Sequence, residues 1–255
     1  DIVGVEEYIE KLNDIGVDAL IVADPGMFMK VKKVAPNFPI HISTQGSVTN
    51  VETVKFWKDL GAERVVMARE LSLEEVSDII KNVGDEIEIE TFAHGAMCMS
   101  YSGRYLLSNY MTGRDANMGD CAQPCRYKYH LVEEKRPGEY FPIEEHDEGT
   151  FIMNSKDLCL IDELDKLIEA GIDSFKIEGR MKTAFYVATV VRSYRQVIDS
   201  YYDGQYNNEI VQKYFDELQK ASHRHFTKAF FYNKPDSNAQ IYENSSYISC
   251  LLYTS

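Results

Sequence analysis

Short apolar runs separated by amphipathic stretches set the pattern of the first ninety residues. ALIVAD, IHIST, RVVMA and IEIETFAHG read as buried strands, and TFIMNS and SFKIEG repeat the type further on. Between them lie stretches with helical spacing, beginning with Val5 to Ile15, after which a strand is expected over Val17 to Val22. Strand starts recur roughly every two dozen residues up to Glu90, the rhythm of successive βα units. Local punctuation agrees: Ser72 with Glu75 makes a capping box ahead of Val76, Ile79 and Ile80, and Pro25 stands where a helix takes its first turn. The pattern predicts an α/β fold. A (β/α)-barrel of the TIM-barrel type is preferred to a doubly wound sheet, because no Gly-rich phosphate fingerprint follows any strand.

The rhythm breaks between Ala96 and Thr150, a stretch of turn residues, aromatics, charges and cysteines without a period. In a barrel, loops after strand C-termini build the active site, so the expectation is a functional insertion over 96–150. Its first part, Ala96 to Leu131, holds the cysteines; Val132 to Gly149 is acidic and solvated. A helix is expected over Thr183 to Tyr202. Beyond it, Phe226 to Tyr247 reads as the opening strands of a β-rich module. The expected organisation is a barrel over 1–220, truncated at its N-terminus because the chain opens on a helix, then the start of a truncated C-terminal β-rich module over 221–249. Residues 250–255, CLLYTS, read as a translated sequencing adapter, which removes Cys250 from the chemistry.

Composition narrows the classes. With 255 residues, 44% of them apolar, the chain can bury a full core, and it contains no apolar run long enough to span a membrane. Five cysteines are too few for a disulfide-stapled secreted domain and predict a reducing compartment, the cytoplasm, with metal or catalytic use of thiols. A net charge of -14 argues against non-specific coating of nucleic acid, since phosphate affinity comes mainly from Lys and Arg. A local basic face is still available: Arg104, Arg114, Arg126 and Lys128 outnumber Asp115 and Asp120 in the cysteine-bearing loop, and are the candidate RNA-binding residues.

Cys98, Cys121, Cys125 and Cys159 lie just beyond predicted strands or in the long loop, Cys159 after a strand ending near Asn154. Thiolate groups of this kind suit iron–sulfur clusters or zinc; the plain alternative is a set of small buried hydrophobes. His94 at a strand end is either a proton donor, a partner behind a ligand, or a satisfied core histidine. Glu90 at the barrel mouth can act as a base or pair with an arginine. Arg180, with Glu178, Gly179 and Lys182, comes after another strand and can hold an anion at a helix start, or form only a surface ion pair. His41, Gln45, Asn154 and Lys156 complete a polar rim suited to a small molecule. Arg69 and Glu70 share the strand-end position or cap the next helix.

The stretch ETFAHGAMCMSYSGRYLLSNYMTGRDANMGDCAQPCRYKY, with FIMNSKDLCLI and SFKIEGRMKTAFYVATVVRSYR, resembles the signature region of the collagenase-like peptidase family, family U thirty-two, and the similarity runs from Asp1 to about Ile248. The resemblance implies RNA hydroxylation dependent on a 4Fe–4S cluster, with 5-hydroxyuridine in transfer RNA as product and prephenate as a small-molecule hydroxyl donor. Peptide hydrolysis, the family's historical name, ranks second, since neither H-E-x-x-H nor a nucleophile elbow is present. A non-catalytic RNA- or protein-binding scaffold ranks third. Cys98, Cys121 and Cys159 match three of the family's cluster ligands. Where relatives have GRC, this chain has Gly103, Arg104 and Tyr105; either Cys125 substitutes as fourth ligand, or three thiolates leave one iron open for substrate, or the cluster has been lost.

Overall fold

The computed structural model describes residues 4–97, 107–114, 116, 120–124, 130–131, 135, 138, 141–142, 156–180, 182–232 and 241–242. Helix α1 (Val5–Ile15) comes first and ends at Gly16, whose φ of 77° supplies the left-handed stop. Strand β1 (Leu20–Val22), helix α2 (Pro25–Val34), strand β2 (Ile40–Ile42), helix α3 (Val51–Asp59), strand β3 (Arg64–Val66), helix α4 (Leu73–Val83) and strand β4 (Glu88–Ala96) succeed one another. The entries of α2, α3 and α4 are capped as their sequences direct. Asp24 accepts from the Met27 amide with Pro25 in the first turn, Asn50 accepts from Thr53, and the Ser72–Glu75 capping box is complete.

After the insertion, which holds helix α5 (Leu107–Thr112) and the paired strands β5 (His130–Leu131) and β6 (Phe141–Pro142), the chain forms strand β7 (Asp157–Cys159), helix α6 (Leu164–Glu169) and strand β8 (Ser174–Glu178). Helices α7 (Ala184–Tyr202) and α8 (Asn208–Gln219) lead to the short strands β9 (His223–Arg224), β10 (Phe226–Thr227) and β11 (Ile241–Tyr242).

Strands β1, β2, β3, β4 and β8 pair in parallel, each with the next. This is the α/β succession expected from the sequence, with the whole insertion looped out between β4 and β8. Among the described residues β1 does not pair with β8, so the sheet is open there. The run TFIMNS, expected as a strand, lies outside the described residues. Cys159 does not come after a strand; it is the last residue of one, and β7 runs antiparallel to β4. Phe226 and Thr227, expected to open a separate module, instead pair with β7 in the main sheet, while β11 pairs with β9.

The register sorts the strands into two faces. Ile40, Ile42, Val65 and Ile89 are buried in one core with Phe28 and Val31 of α2, Val54 and Trp57 of α3, and Val76, Ile79 and Val83 of α4. Each such side chain contributes roughly 1.5–3 kcal/mol by leaving water, so this face holds the sheet and its helices together. The opposite register positions are largely polar, Ile21 and Val66 apart: His41 pairs with Arg64, Arg64 with Glu88, and Glu90 with Ser174. That polar ladder runs across the strands beside β4, from whose end the insertion springs.

Candidate functional site

β4 serves three partners. Its residues 88–90 pair with β3, 90–95 with β8, and 94–96 with β7. Gly95 makes the triple junction possible: its φ is +114°, and a Cβ there would stand 2.2 Å from the Glu178 carbonyl oxygen.

Glu90, 8% exposed, is held from two sides. Ser174 Oγ donates at 2.8 Å and Lys176 Nζ at 3.1 Å from β8, and Arg64 Nη1 donates at 3.3 Å from β3. Burial pushes its carboxyl up, but Lys176, Ser174 and Arg64 together outweigh burial and leave it below the ordinary range. Glu90 is therefore a fixed anion knitting three strands rather than a free base. Burial and then Arg64 likewise lower His41. Sequence reasoning singled out Glu90 and His41 and missed Arg64, Ser174 and Lys176. Their signal was present in the alternation of IHI, EIE and SFKIE, which puts a polar residue at every second position on one face, though RVV, with Val66 on that face, does not keep it.

His94 is 1% exposed and lies across the antiparallel ladder from Cys159. Its ring packs edge-on to Tyr194 and Phe226 at 5.4 and 5.6 Å between centroids. Burial, with His223 and Lys182 nearby, pushes its imidazole down to about 3, so it is neutral at pH 7. Nδ1 lies 3.3 Å from the Tyr194 hydroxyl, which donates to the Ala93 carbonyl at 2.7 Å, accepts from the Leu160 amide at 3.0 Å and lies 3.9 Å from Cys159 Sγ. Cys159 is 1% exposed, and burial pushes its thiol up to about 11. Tyr194, inside α7, is the functional neighbour that no sequence signal indicated.

Cys121 sits in a different setting. Its Sγ accepts the Gln123 amide at 3.3 Å, an approach made with Gln123 at φ 56°, and the next residue, Ala122, donates its amide to the fully buried Ser108 hydroxyl of α5 at 2.9 Å. Gln45, just beyond β2, donates to the Ala116 carbonyl and ties this loop to the sheet. Arg114 pairs with Asp120 at 2.8 Å, and that hydrogen bond, with the charges of Arg114 and Arg180, holds the Asp120 carboxyl below its usual range. Arg180 is exposed just past β8, and its amide donates to Glu178. It does not head a helix, because Thr183 caps α7 by accepting from Tyr186. Arg69 does not cap α4 either; Ser72 does, and the Arg69 guanidinium lies 4.0 Å over the Phe92 ring while donating to the Ala96 carbonyl. Lys182 donates to the Ser222 carbonyl and lies 4.0 Å from the buried Asp157 carboxylate.

Cys98, Arg104, Tyr105, Cys125, Arg126, Lys128 and Asn154 lie outside the described residues. Cys121 and Cys159 are free thiols. No group of three His, Cys, Asp or Glu side chains among the described residues is arranged to hold a metal ion, and the set assigned from the sequence includes the undescribed Cys98 and Cys125. The two described sulfurs fit thiolate ligation. The Gln123 amide points at Cys121 Sγ, and the Tyr194 hydroxyl lies 3.9 Å from Cys159 Sγ, so each described sulfur has beside it a donor of the kind a ligand sulfur accepts.

A mixed, mostly parallel α/β sheet with a buried thiol, Cys159, at the end of one strand is the class that fold and site define among the described residues. The chain belongs to peptidase family U32, whose model matches residues 1–241. It is 46% identical to tRNA hydroxylation protein P1 of Bacillus subtilis, over 94% of this chain and 56% of the relative. It is 38% identical to tRNA hydroxylation protein P of Escherichia coli, over 90% of this chain and 58% of the relative. A 23S rRNA 5-hydroxycytidine synthase of Escherichia coli is 40% identical over 76% of this chain and 28% of its own length. The chain thus spans about half the length of the first two relatives. No helix among the described residues is long and apolar enough to cross a membrane.

Proposed function

We propose that this protein is an RNA-hydroxylating enzyme that forms 5-hydroxyuridine in transfer RNA, using a 4Fe–4S cluster held by Cys98, Cys121, Cys125 and Cys159 and prephenate as the hydroxyl donor. The observation that carries the reading is the match, along nine-tenths or more of this chain, to proteins named for transfer-RNA hydroxylation. When bound, the cluster supplies one-electron chemistry. The chain's own residues do the rest. Ser108 and Gln45 fix the Cys121 loop, while the β4–β7 ladder fixes Cys159. The Glu90–Lys176–Arg64 network stiffens the strands beneath. Arg114 and Arg180 lie near Asp120, the chain neighbour of Cys121, and Arg114, with Arg104, Arg126 and Lys128 of the same stretch of sequence, would hold the phosphate backbone.

The Cys159–His94 neighbours argue against thiol proteolysis at this pair. A nucleophilic thiolate needs a lowered pKa and an available base. Cys159 is pushed up to about 11 and His94 down to about 3, both nearly inaccessible.

The test is anaerobic purification and reconstitution, with iron and sulfide analysis, then expression in a bacterial strain lacking its own transfer-RNA hydroxylation proteins. Close to four irons and four sulfides per chain, as the cluster formula requires, and recovery of hydroxyuridine by nucleoside mass spectrometry are expected. Peptide cleavage by the iron-free protein, with no hydroxyuridine under any reconstitution, would sink the proposal.

A further inference from the structure

The Tyr194 hydroxyl joins four groups at the point where β4, β7 and α7 meet. It has one proton to give. In the metal-free arrangement that proton goes to the Ala93 carbonyl at 2.7 Å, the shortest of these contacts, while the Leu160 amide donates to the hydroxyl oxygen at 3.0 Å. The His94 Nδ1, 3.3 Å away, then faces a hydroxyl oxygen whose proton is already committed, so the consistent tautomer has Nδ1 protonated and donating. Cys159 Sγ, at 3.9 Å, is in reach of the same hydroxyl.

The Ala93 carbonyl does not depend on Tyr194 alone. It also accepts from the Leu160 amide at 3.0 Å. The hydroxyl can therefore rotate from Ala93 to another acceptor without leaving a buried carbonyl bare. A protonated thiol is a poor acceptor and gives no reason to rotate. A sulfur bound to metal has lost its proton and carries negative charge, and hydrogen bonds to ionised acceptors are about twice as strong as neutral ones.

We propose that Tyr194, oriented by His94, is a positioning residue for Cys159: it turns its hydroxyl to the sulfur when that sulfur ligates metal, and thereby sets the cluster's reduction potential. The inference rests on the cluster reading above. A hydrogen bond to a ligand sulfur stabilises the more negative, reduced cluster and raises its potential. Around this junction the wall is aromatic, built of Tyr186, Phe226 and the His94 ring, with Tyr186 and His94 buried.

The experiment compares the anaerobically reconstituted protein with Tyr194→Phe and His94→Leu. Phe keeps the ring that fills the site, and the Leu160 amide keeps Ala93 as its partner, so Tyr194→Phe is expected to fold. Measured by redox titration of the visible absorption, its midpoint potential should shift to more negative values at unchanged iron and sulfide content, and its cluster should be lost several-fold faster in air. His94→Leu, which leaves the hydroxyl but removes the group that orients it, should shift the potential the same way by less. Potentials and cluster lifetimes equal to those of the parent in both variants would overturn the relay while leaving the cluster reading intact. A parent protein that takes up no iron would remove the cluster reading and the relay together.

Discussion

The half of the sheet built from β1 to β4 and the half around β7 and β8 obey different rules. In the first half β1, β2 and β3 are short, every pairing joins neighbours in sequence, and cohesion is apolar: one buried face against α2, α3 and α4. In the second, β4 meets β8 and β7 across the whole insertion, and the contacts that fix the register are polar and specific: Glu90 with Ser174 and Lys176, the Ile89 amide with Asp173, Tyr194 with Ala93 and Leu160. Burial tolerates small changes of shape, whereas a network of fixed donors and acceptors does not. Apolar packing builds the platform, and polar specificity fixes β8 against β4 and the end of β7 against Tyr194.

The largest effect expected on this division comes from Gly95→Val. A β-branched residue at φ +114°, with a Cβ 2.2 Å from the Glu178 carbonyl, cannot keep β4 and β8 paired. Circular dichroism and urea unfolding should show loss of the cooperative transition; a parent-like transition would mean the junction is far more pliable than the fold implies. Trp57→Ala strikes the other half. Trp57 is 4% exposed and packs on Phe28 at 5.3 Å, so its truncation should cost about 3–5 kcal/mol in the same assay without altering any polar contact of the junction.

Glu90→Gln should cost about 2 kcal/mol at neutral pH, less than loss of a fully buried pair because Lys176 and Arg64 are partly solvated. Its pH dependence sharpens the test. The folded carboxyl lies below its ordinary range, so its contribution is complete above the unfolded value of about 4.3 and disappears as pH falls through the folded value. The gap in stability between parent and variant should accordingly close on acidification below that range, and a gap constant down to strong acid would contradict the ion network. The smallest effect is that of Ser72→Ala, which removes one capping box in the apolar half and should lower stability by about 1 kcal/mol at all pH values where the protein is folded.

The same division explains what could be read from the sequence. In the β1–β4 half, strand runs, the Ser72–Glu75 box and Pro25 all fell where periodicity and capping put them, because each signal is local. β7, no shorter than β1, β2 or β3, escaped because it breaks the parallel repeat: its antiparallel partner lies far back in the chain and nothing local points to it. Phe226 and Thr227 were assigned to a separate module because nothing local says that two residues will pair with β7. His94 and Cys159 were singled out from the sequence, and the structure sets them opposite each other across the β4–β7 ladder. Tyr194 was not, since on α7 it looks like any other buried aromatic at helical spacing.

The Ser174 hydroxyl that binds Glu90 comes 84 residues later in the chain. At synthesis rates of about 5–20 residues per second, β4 therefore emerges on the order of ten seconds before β8 exists to cover it. Contacts of such sequence separation form late, after the entropy of closing a long loop has been met. During that interval β1 to β4 can already be assembled, with the edge of β4 bare. An exposed strand edge is a template for pairing with other chains, so the polar residues on β4 have a role during biogenesis as well as in the finished molecule. Glu88 and Glu90 stand along that waiting strand answered from the assembled sheet by Arg64, and Glu90 gains its other two donors when Lys176 and Ser174 arrive.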